Sequence, residues 1–366
     1  MSDYLKDQII TYIGNKRKIL PFIERSLNQI GIKDYTFLDL FSGSGIVSRL
    51  AKVHGAKKII ANDLEYYSVI LNEVFLRNKE GDKKNFEEAK KYLLSKPLFE
   101  GWVSKNYAPK DDNDIQKGER CFYTRENALL IDSYSQLIFN KGCYFDWLAY
   151  AMISMDTAIL LLASLIYEAS VHTNTSGVFK GFYKNKQGIG QFGGEGKNAL
   201  QRICGKIDPQ FPVFCPNETE NLILQEDASH VALEMKDVDI TYIDPPYNQH
   251  PYGSNYFMLN AIAKNKCPDE ISKVSGIPKD WNRSIYNKRA EGVMQLLKDI
   301  ENVDSKYVLL SYSSEAYLPI KDMVAELAKI GLITNLQEID YNVFRGSRNL
   351  CSRPKKLQEY LITIRK

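Results

Sequence analysis

The sequence predicts an α/β protein in which a doubly wound α/β domain is split by a mainly helical insert. Two strand-turn units and the stretch between them carry that prediction. Residues 36 to 41 (Thr-Phe-Leu-Asp-Leu-Phe) form an apolar run followed by Ser42-Gly43-Ser44-Gly45 and then by the helix-like residues 46 to 52. Residues 238 to 243 (Val-Asp-Ile-Thr-Tyr-Ile) form a second such run, ending at Asp244-Pro245-Pro246-Tyr247. Between these units, residues 79 to 220 are helix-rich at first and irregular later, so the alternation of strand and helix stops and then resumes. The expected boundaries are residues 1–78 and 221–366 for the α/β domain and 79–220 for the insert, with Pro209, Pro212 and Pro216 marking its exit.

The individual elements follow in order. A strand over residues 36 to 41, a glycine turn and a helix make a unit whose turn lets a bound molecule approach the backbone closely. The next strand, residues 57 to 61, ends at Asn62-Asp63, where the Asp63 carboxylate can accept from ribose hydroxyls. Position 48 is Ser48 where a dinucleotide fingerprint has its third glycine. A pyrophosphate cofactor, and with it a nicotinamide oxidoreductase, is therefore disfavoured, and S-adenosylmethionine, which has no phosphate, fits better. Residues 222 to 227 read as a short strand ending in acids, and Asp227 can accept from an adenine amino group. Later come a strand over residues 307 to 312, a helix over 320 to 330, and two strands over 336 to 341 and 359 to 364.

The turn Asp244-Pro245-Pro246-Tyr247 carries the most chemistry. Two successive prolines remove two backbone donors and fix φ, which leaves carbonyls able to face a pocket. Asp244 and the Pro245 carbonyl can then accept from one exocyclic amine, while Tyr247 stacks on the face of a base. An amine held by two acceptors loses conjugation with its ring and becomes a better nucleophile. Residues 255 to 257, just beyond, can wall such a pocket or simply pack as helix.

Composition narrows the partners. The net charge is only +3, so nucleic-acid binding has to come from local clusters. One cluster holds Arg345, Arg348, Arg353 and Lys355 between the last two strands, a loop suited to phosphates unless it is only a solvated hairpin tip. Another holds Lys180 and Lys184 among Phe182, Tyr183, Asn185 and Gln187, a mixture that can touch phosphates and base edges. A third segment, residues 281 to 289, suggests a loop that is disordered or ordered by DNA. Cysteines 121, 143, 204, 215, 267 and 351 have neither CxxC nor Cys/His ligand spacing, which argues against a metal site or a disulfide framework and for a cytoplasmic setting. The N-terminus lacks the apolar stretch of a secretory signal. Residues 148 to 167 are the one stretch that invites a membrane reading, but Asp156 in its middle would cost about 2.5–3.5 kcal/mol at a bilayer centre. A buried helix is expected there instead.

Residues 12 to 20 (Tyr-Ile-Gly-Asn-Lys-Arg-Lys-Ile-Leu), then Phe41-Ser42-Gly43-Ser44-Gly45, then Asp244-Pro245-Pro246-Tyr247, resemble in this order the alpha-group, Dam-type DNA adenine-N6 methyltransferases. Residues 122 to 127 and 174 to 179 are more loosely similar to stretches of that family. The resemblance implies a Rossmann-like S-adenosylmethionine-dependent methyltransferase domain with an inserted target-recognition domain, acting on double-stranded DNA. It implies that Tyr12 and Lys16 border the methionine end of the cofactor, that Phe41, Gly43 and Gly45 line its floor, and that Asp39 belongs to the same set. Asp63 would hold the ribose and Asp227 the cofactor adenine. Asp244 with Pro245, Pro246 and Tyr247 would take the target amine of an extruded adenine, with no metal required. A cognate restriction endonuclease is the partner such enzymes imply. A cytosine-N4 or RNA adenine methyltransferase uses similar chemistry, and a catalytically silent DNA-binding protein would keep the fold without Asp63 and Asp244.

Overall fold

The structure is a computed structural model, and it describes residues 3–139, 153–246, 251–342 and 356–366. Seven strands form one sheet in the order β3-β2-β1-β4-β5-β7-β6. They are β1 Thr36–Asp39, β2 Lys58–Asn62, β3 Glu220–Leu224, β4 Val238–Ile243, β5 Ser305–Ser313, β6 Leu332–Asn342 and β7 Lys356–Arg365. The first five run parallel, with Phe37 in register with Ile59 on one side and Ile240 on the other. β7 enters antiparallel between β5 and β6.

The central strands are apolar on both faces, and the alternation along each decides which face a side chain serves. Phe37, Ile59, Ile240, Leu309 and Leu361 point to a core shared with the helices Leu20–Ile30 and Ile46–His54. Leu38, Ile60, Val308, Leu310 and Ile362 point to the opposite core, closed by the helices Ala228–Glu234, Arg289–Asn302 and Ile320–Ile330. Helices on both faces of a mostly parallel sheet make the doubly wound architecture the sequence predicts. Strand order reverses between β1 and β4, so the crevice beyond their carboxyl ends is where such sheets bind ligands.

Residues 63 to 219 add no strand to this sheet among the described residues. The helices Lys83–Leu94, Trp102–Tyr107, Arg125–Phe139 and Met155–Val171 bury a third core around Phe86, Tyr107, Phe122, Tyr134 and Leu161. That core also takes Tyr67 and Phe75 from the helix Tyr66–Phe75 and Phe257 and Leu259 from the helix Phe257–Lys264. The helical layer therefore shares its interior with segments belonging to the sheet domain. Its two ends meet: Asn78 Nδ2 donates to the Thr219 carbonyl at 2.6 Å, and the Thr219 amide donates to Asn78 Oδ1 at 2.9 Å. Lys52, fully buried, donates to the carbonyls of Leu76 and Arg77 at the same place.

The helix Met155–Val171 is packed into this core, and Asp156 near its start pairs with Arg77. No helix among the described residues is long and apolar enough to cross a membrane. Residues 255 to 257 join the helices Tyr252–Asn255 and Phe257–Lys264: Tyr256, at the break between them, is fully buried and the Asn255 carbonyl accepts from the Phe179 amide.

Candidate active site

The strand ends β1, β2 and β3 are tied by one side chain. Asn62 donates to the carbonyls of Leu40 and Glu226, and its Oδ1 accepts from the Glu226 amide at 3.0 Å. An amide side chain can both donate and accept, so a single residue satisfies three backbone groups in two loops that would otherwise leave them unpaired. The neighbouring Asp63 closes the glycine turn: Oδ2 accepts from the Gly43 amide at 2.7 Å and Oδ1 from the Glu65 amide at 2.8 Å. Gly43 and Gly45 hold φ of +52° and +73°. A Cβ at Gly43 would lie 3.1 Å from the Tyr12 ring, and one at Gly45 would lie 2.7 Å from Asn72 Oδ1. Both positions thus demand glycine for conformation and for space.

Tyr12 joins this loop from the N-terminal side. Its ring stacks on Tyr252 at 4.9 Å and on Tyr256 at 4.8 Å. Tyr252 donates to the Ile13 carbonyl and Tyr256 accepts from the Ile13 amide, so the N-terminal segment is fastened to the segment after the Asp244 turn. Lys16 lies in a 3-10 turn, Lys16–Lys18, that leaves Arg17 and Lys18 in solvent but buries the Lys16 side chain. Its ammonium lies 3.1 Å from Asp244 Oδ1.

A cleft of about 680 Å³ opens over these loops. Tyr12, Phe41, Asp63, Asp227, Asp244 and Pro246 line it, which brings together six of the residues expected from sequence. Asp227 caps the helix Ala228–Glu234, accepting from the Ser229 amide and hydroxyl, and remains exposed at the cleft rim. Asp39 is buried behind the wall and does not line the cleft; Oδ2 accepts from Ser48 at 2.7 Å, so the position that lacks the third glycine supplies a hydroxyl instead. Tyr247 lies outside the described residues, as do Arg345, Arg348, Arg353 and Lys355. Lys180 and Lys184 sit elsewhere, on an open groove of about 1060 Å³ with Ser176, Tyr183, Gly194 and Asn198.

The cleft is acidic. Its lining includes the carboxylates of Asp63, Glu65, Glu226, Asp227 and Asp244 and, among the described residues, no lysine or arginine. Burial pushes Asp63 up to about 6 and Asp39 to about 7, the latter also through repulsion by Asp244 and Asp63. Asp244 is raised by burial, opposed by the Lys16 ammonium beside it. Such a lining repels phosphate and suits a ligand that carries positive charge and hydroxyl or amine donors.

Several lining residues had no sequence signal. Glu65 is 4 % exposed and accepts from the side chains of Asn260 and Asn282. Asn282 also donates to the Leu64 carbonyl, and a Cβ at Gly253 would come within 2.4 Å of its carbonyl oxygen. The segment 281 to 289, expected to be disordered or ordered by DNA, is instead packed against the cleft by these contacts and by the turn Ile285–Asn287, capped by Ser284. Tyr286 stands edge-on to Phe41 with ring centroids 4.9 Å apart, and its hydroxyl donates to the buried Asp299. No group of acids, histidines and cysteines that could hold a metal ion occurs among the described residues.

Comparison with known proteins places this geometry. The sequence profile described as D12 class N6 adenine-specific DNA methyltransferase matches residues 12–325. The chain is 33% identical over 365 residues to the type II methyltransferase M.CviAII of Paramecium bursaria Chlorella virus 1, covering 97% of this chain and 98% of that one. It is 29% identical over 362 residues to M.NlaIII of Neisseria lactamica, covering 98% and 99%. To M.FokI of Planomicrobium okeanokoites it is 28% identical over 370 residues, which is 97% of this chain but 52% of that longer protein.

Proposed function

The chain belongs to the family of D12 class N6 adenine-specific DNA methyltransferases, and we propose that it acts on an adenine extruded from duplex DNA, with S-adenosylmethionine as methyl donor and Asp244 as acceptor of the target amine. The observation that supports this best is the placement of Asp244 on the cleft wall, at the end of β4 and next to the strand-order reversal. When bound, S-adenosylmethionine supplies an electrophilic methyl group on a sulfonium centre. The acidic lining fits that cation and its amine and hydroxyl donors, whereas it would repel the pyrophosphate of a nicotinamide cofactor.

The roles of this chain's residues follow from their positions. Asp63, already held by the amides of Gly43 and Glu65, offers its remaining lone pairs to ribose hydroxyls. Phe41, Gly43 and Gly45 form a floor that side chains do not obstruct, Asp227 accepts from the cofactor adenine, and Tyr12 and Lys16 close the other end. Asp244 and the Pro245 carbonyl orient the amine lone pair, Pro246 lines the pocket and Tyr247 stacks on the base. The order of the motifs, cofactor loop first and Asp244 turn second with residues 79–220 between them, supports the alpha-group, Dam-type assignment, with the insert as target-recognition domain. The Asn78 and Thr219 pairing at its neck supports those bounds. Lys180 and Lys184, and the cluster Arg345, Arg348, Arg353 and Lys355, are the phosphate contacts in this reading. The names of the relatives support a modification role beside a cognate restriction endonuclease, in the cytoplasm with the DNA.

The test incubates the protein with tritiated S-adenosylmethionine and mixed-sequence duplex DNA, then digests the DNA and identifies the labelled nucleoside. Label in N6-methyladenine is expected. Label in RNA alone, or none with measurable cofactor binding, would overturn the duplex reading.

A further inference from the structure

Lys16 carries one buried ammonium between two carboxylates from distant parts of the chain. It lies 3.1 Å from Asp244 Oδ1 and 3.6 Å from Glu359 Oε2, and the three side chains are 6%, 19% and 7% exposed. Lys16 comes from the turn after the N-terminal segment, Asp244 from the end of β4, and Glu359 from β7, where it pairs in register with Ser313 of β5. Three segments converging on one cation is not what a surface ion pair looks like, and the desolvation cost is repaid only where the geometry is held firmly.

The chemistry at Asp244 sets a conflicting demand. An acceptor must keep a lone pair for the incoming amine, yet an ammonium at hydrogen-bond distance competes for the same oxygens. A second carboxylate on the far side of the ammonium weakens that competition. We propose that Glu359 is a positioning residue for the transfer reaction: it draws the Lys16 ammonium partly away from Asp244, so that the Asp244 carboxylate stays aimed and available to the target amine. The inference rests on the reading of Asp244 as the amine acceptor. Among the described residues, the other titratable groups around Asp244 are Asp39, Asp63, Tyr242 and Tyr252. Tyr252 feels Asp244, Lys16, Asp63 and Glu359 together, which places all four charges around one phenol.

The experiment compares Glu359→Gln and Glu359→Asp with the wild-type full chain, in single-turnover methylation of duplex DNA across pH and in equilibrium binding of S-adenosylmethionine. Glu359→Gln is expected to lower the rate about tenfold at neutral pH, leave cofactor affinity within about twofold, and move the acid limb of the rate profile to lower pH. The limb moves down because the undivided Lys16 favours the ionised form of Asp244. Glu359→Asp keeps the charge and recovers most of the rate; should the glutamine variant fail to fold, Glu359→Asp carries the test, its shorter reach to Lys16 expected to move the limb part of the way down, and an unchanged limb and rate overturning the proposal. An unchanged rate and limb in Glu359→Gln overturns the proposal, as does a rate loss matched by equal losses of cofactor affinity and melting temperature. Asp244→Asn separates the two readings. If it keeps wild-type turnover, the acceptor assignment falls and this inference with it; if it is inactive while Glu359→Gln is normal, only the role of Glu359 falls.

Discussion

The cleft at the strand ends and the groove around Lys180 and Lys184 are two concave surfaces built in opposite ways. In the cleft each side chain is held at the ends of parallel strands or against packed rings: Asp63 by two amides, Asn62 between two loops, Tyr12 by two stacked rings. The groove is made from turns rich in glycine, with Lys184 leaning on the Phe182 ring and a single bridge between Lys184 and Gly190. A sheet fixes atoms to the tolerance that methyl transfer requires, whereas turns leave lysines free to follow a phosphate backbone. One surface is acidic and the other carries cations, the division between chemistry and attraction to DNA that the proposed function expects.

The sharpest way to break that division is Asp244→Ala. We expect transfer to vanish while DNA affinity stays largely intact, measured by single-turnover labelling beside equilibrium DNA binding; near wild-type turnover would remove Asp244 from the mechanism. Gly45→Ala attacks the scaffold of the cleft. Its φ of +73° and the 2.7 Å approach to Asn72 should cost roughly 1–3 kcal/mol of stability, read as a lower melting temperature together with weaker cofactor binding. Tyr247→Ala should lose on the order of 1–3 kcal/mol of stacking on the extruded base; an unchanged rate would move the stacking partner elsewhere. On the groove side, Lys180→Ala with Lys184→Ala should weaken all DNA sequences alike and reduce the salt slope of binding by about one per lysine. A changed sequence preference at constant salt slope would make these lysines readers of bases instead.

The smallest effect concerns protons. Burial, reinforced by Asp63, raises Glu65 to about 7, above the ~4.3 of an unfolded chain. A raised carboxyl pKa means that the folded state holds its proton longer. The stability linked to Glu65 is therefore full below about pH 4 and lost as pH rises through about 7. Glu65→Gln should accordingly melt higher than wild type at pH 8, with the difference closing toward pH 4. A constant difference across that range would show that the Asn260 and Asn282 contacts, not the charge, set its contribution.

Legibility in the sequence followed locality. Residues 36 to 41 could be read as a strand because both faces of a central parallel strand are apolar, although the strand proper ends at Asp39, where the chain turns out to form the cleft floor. The part of the membrane-like stretch that is described, residues 153 to 167, is a buried helix from Met155 onward as expected, whereas residues 148 to 152 lie outside the described residues. The segment 281 to 289 gave no sign of its packing because polar composition looks alike in a free loop and in one whose asparagine is spent on Leu64 and Glu65.

By itself, the sequence determined the α/β class, the glycine turn and the Asp244 turn, since each is written in contiguous residues with a local physical cause; the tie to adenine methylation came from the resemblance of these motifs, in their order, to a known family. Only the tertiary structure decided that Asp39 stays behind the cleft wall, that Asn282 and Tyr286 line it, and that Lys16 meets both Asp244 and Glu359. Those relations join residues up to 343 positions apart, from 16 to 359. No periodicity or motif spacing encodes them, because they exist only once parallel pairing and an antiparallel last strand bring separate strand ends to one edge of the sheet.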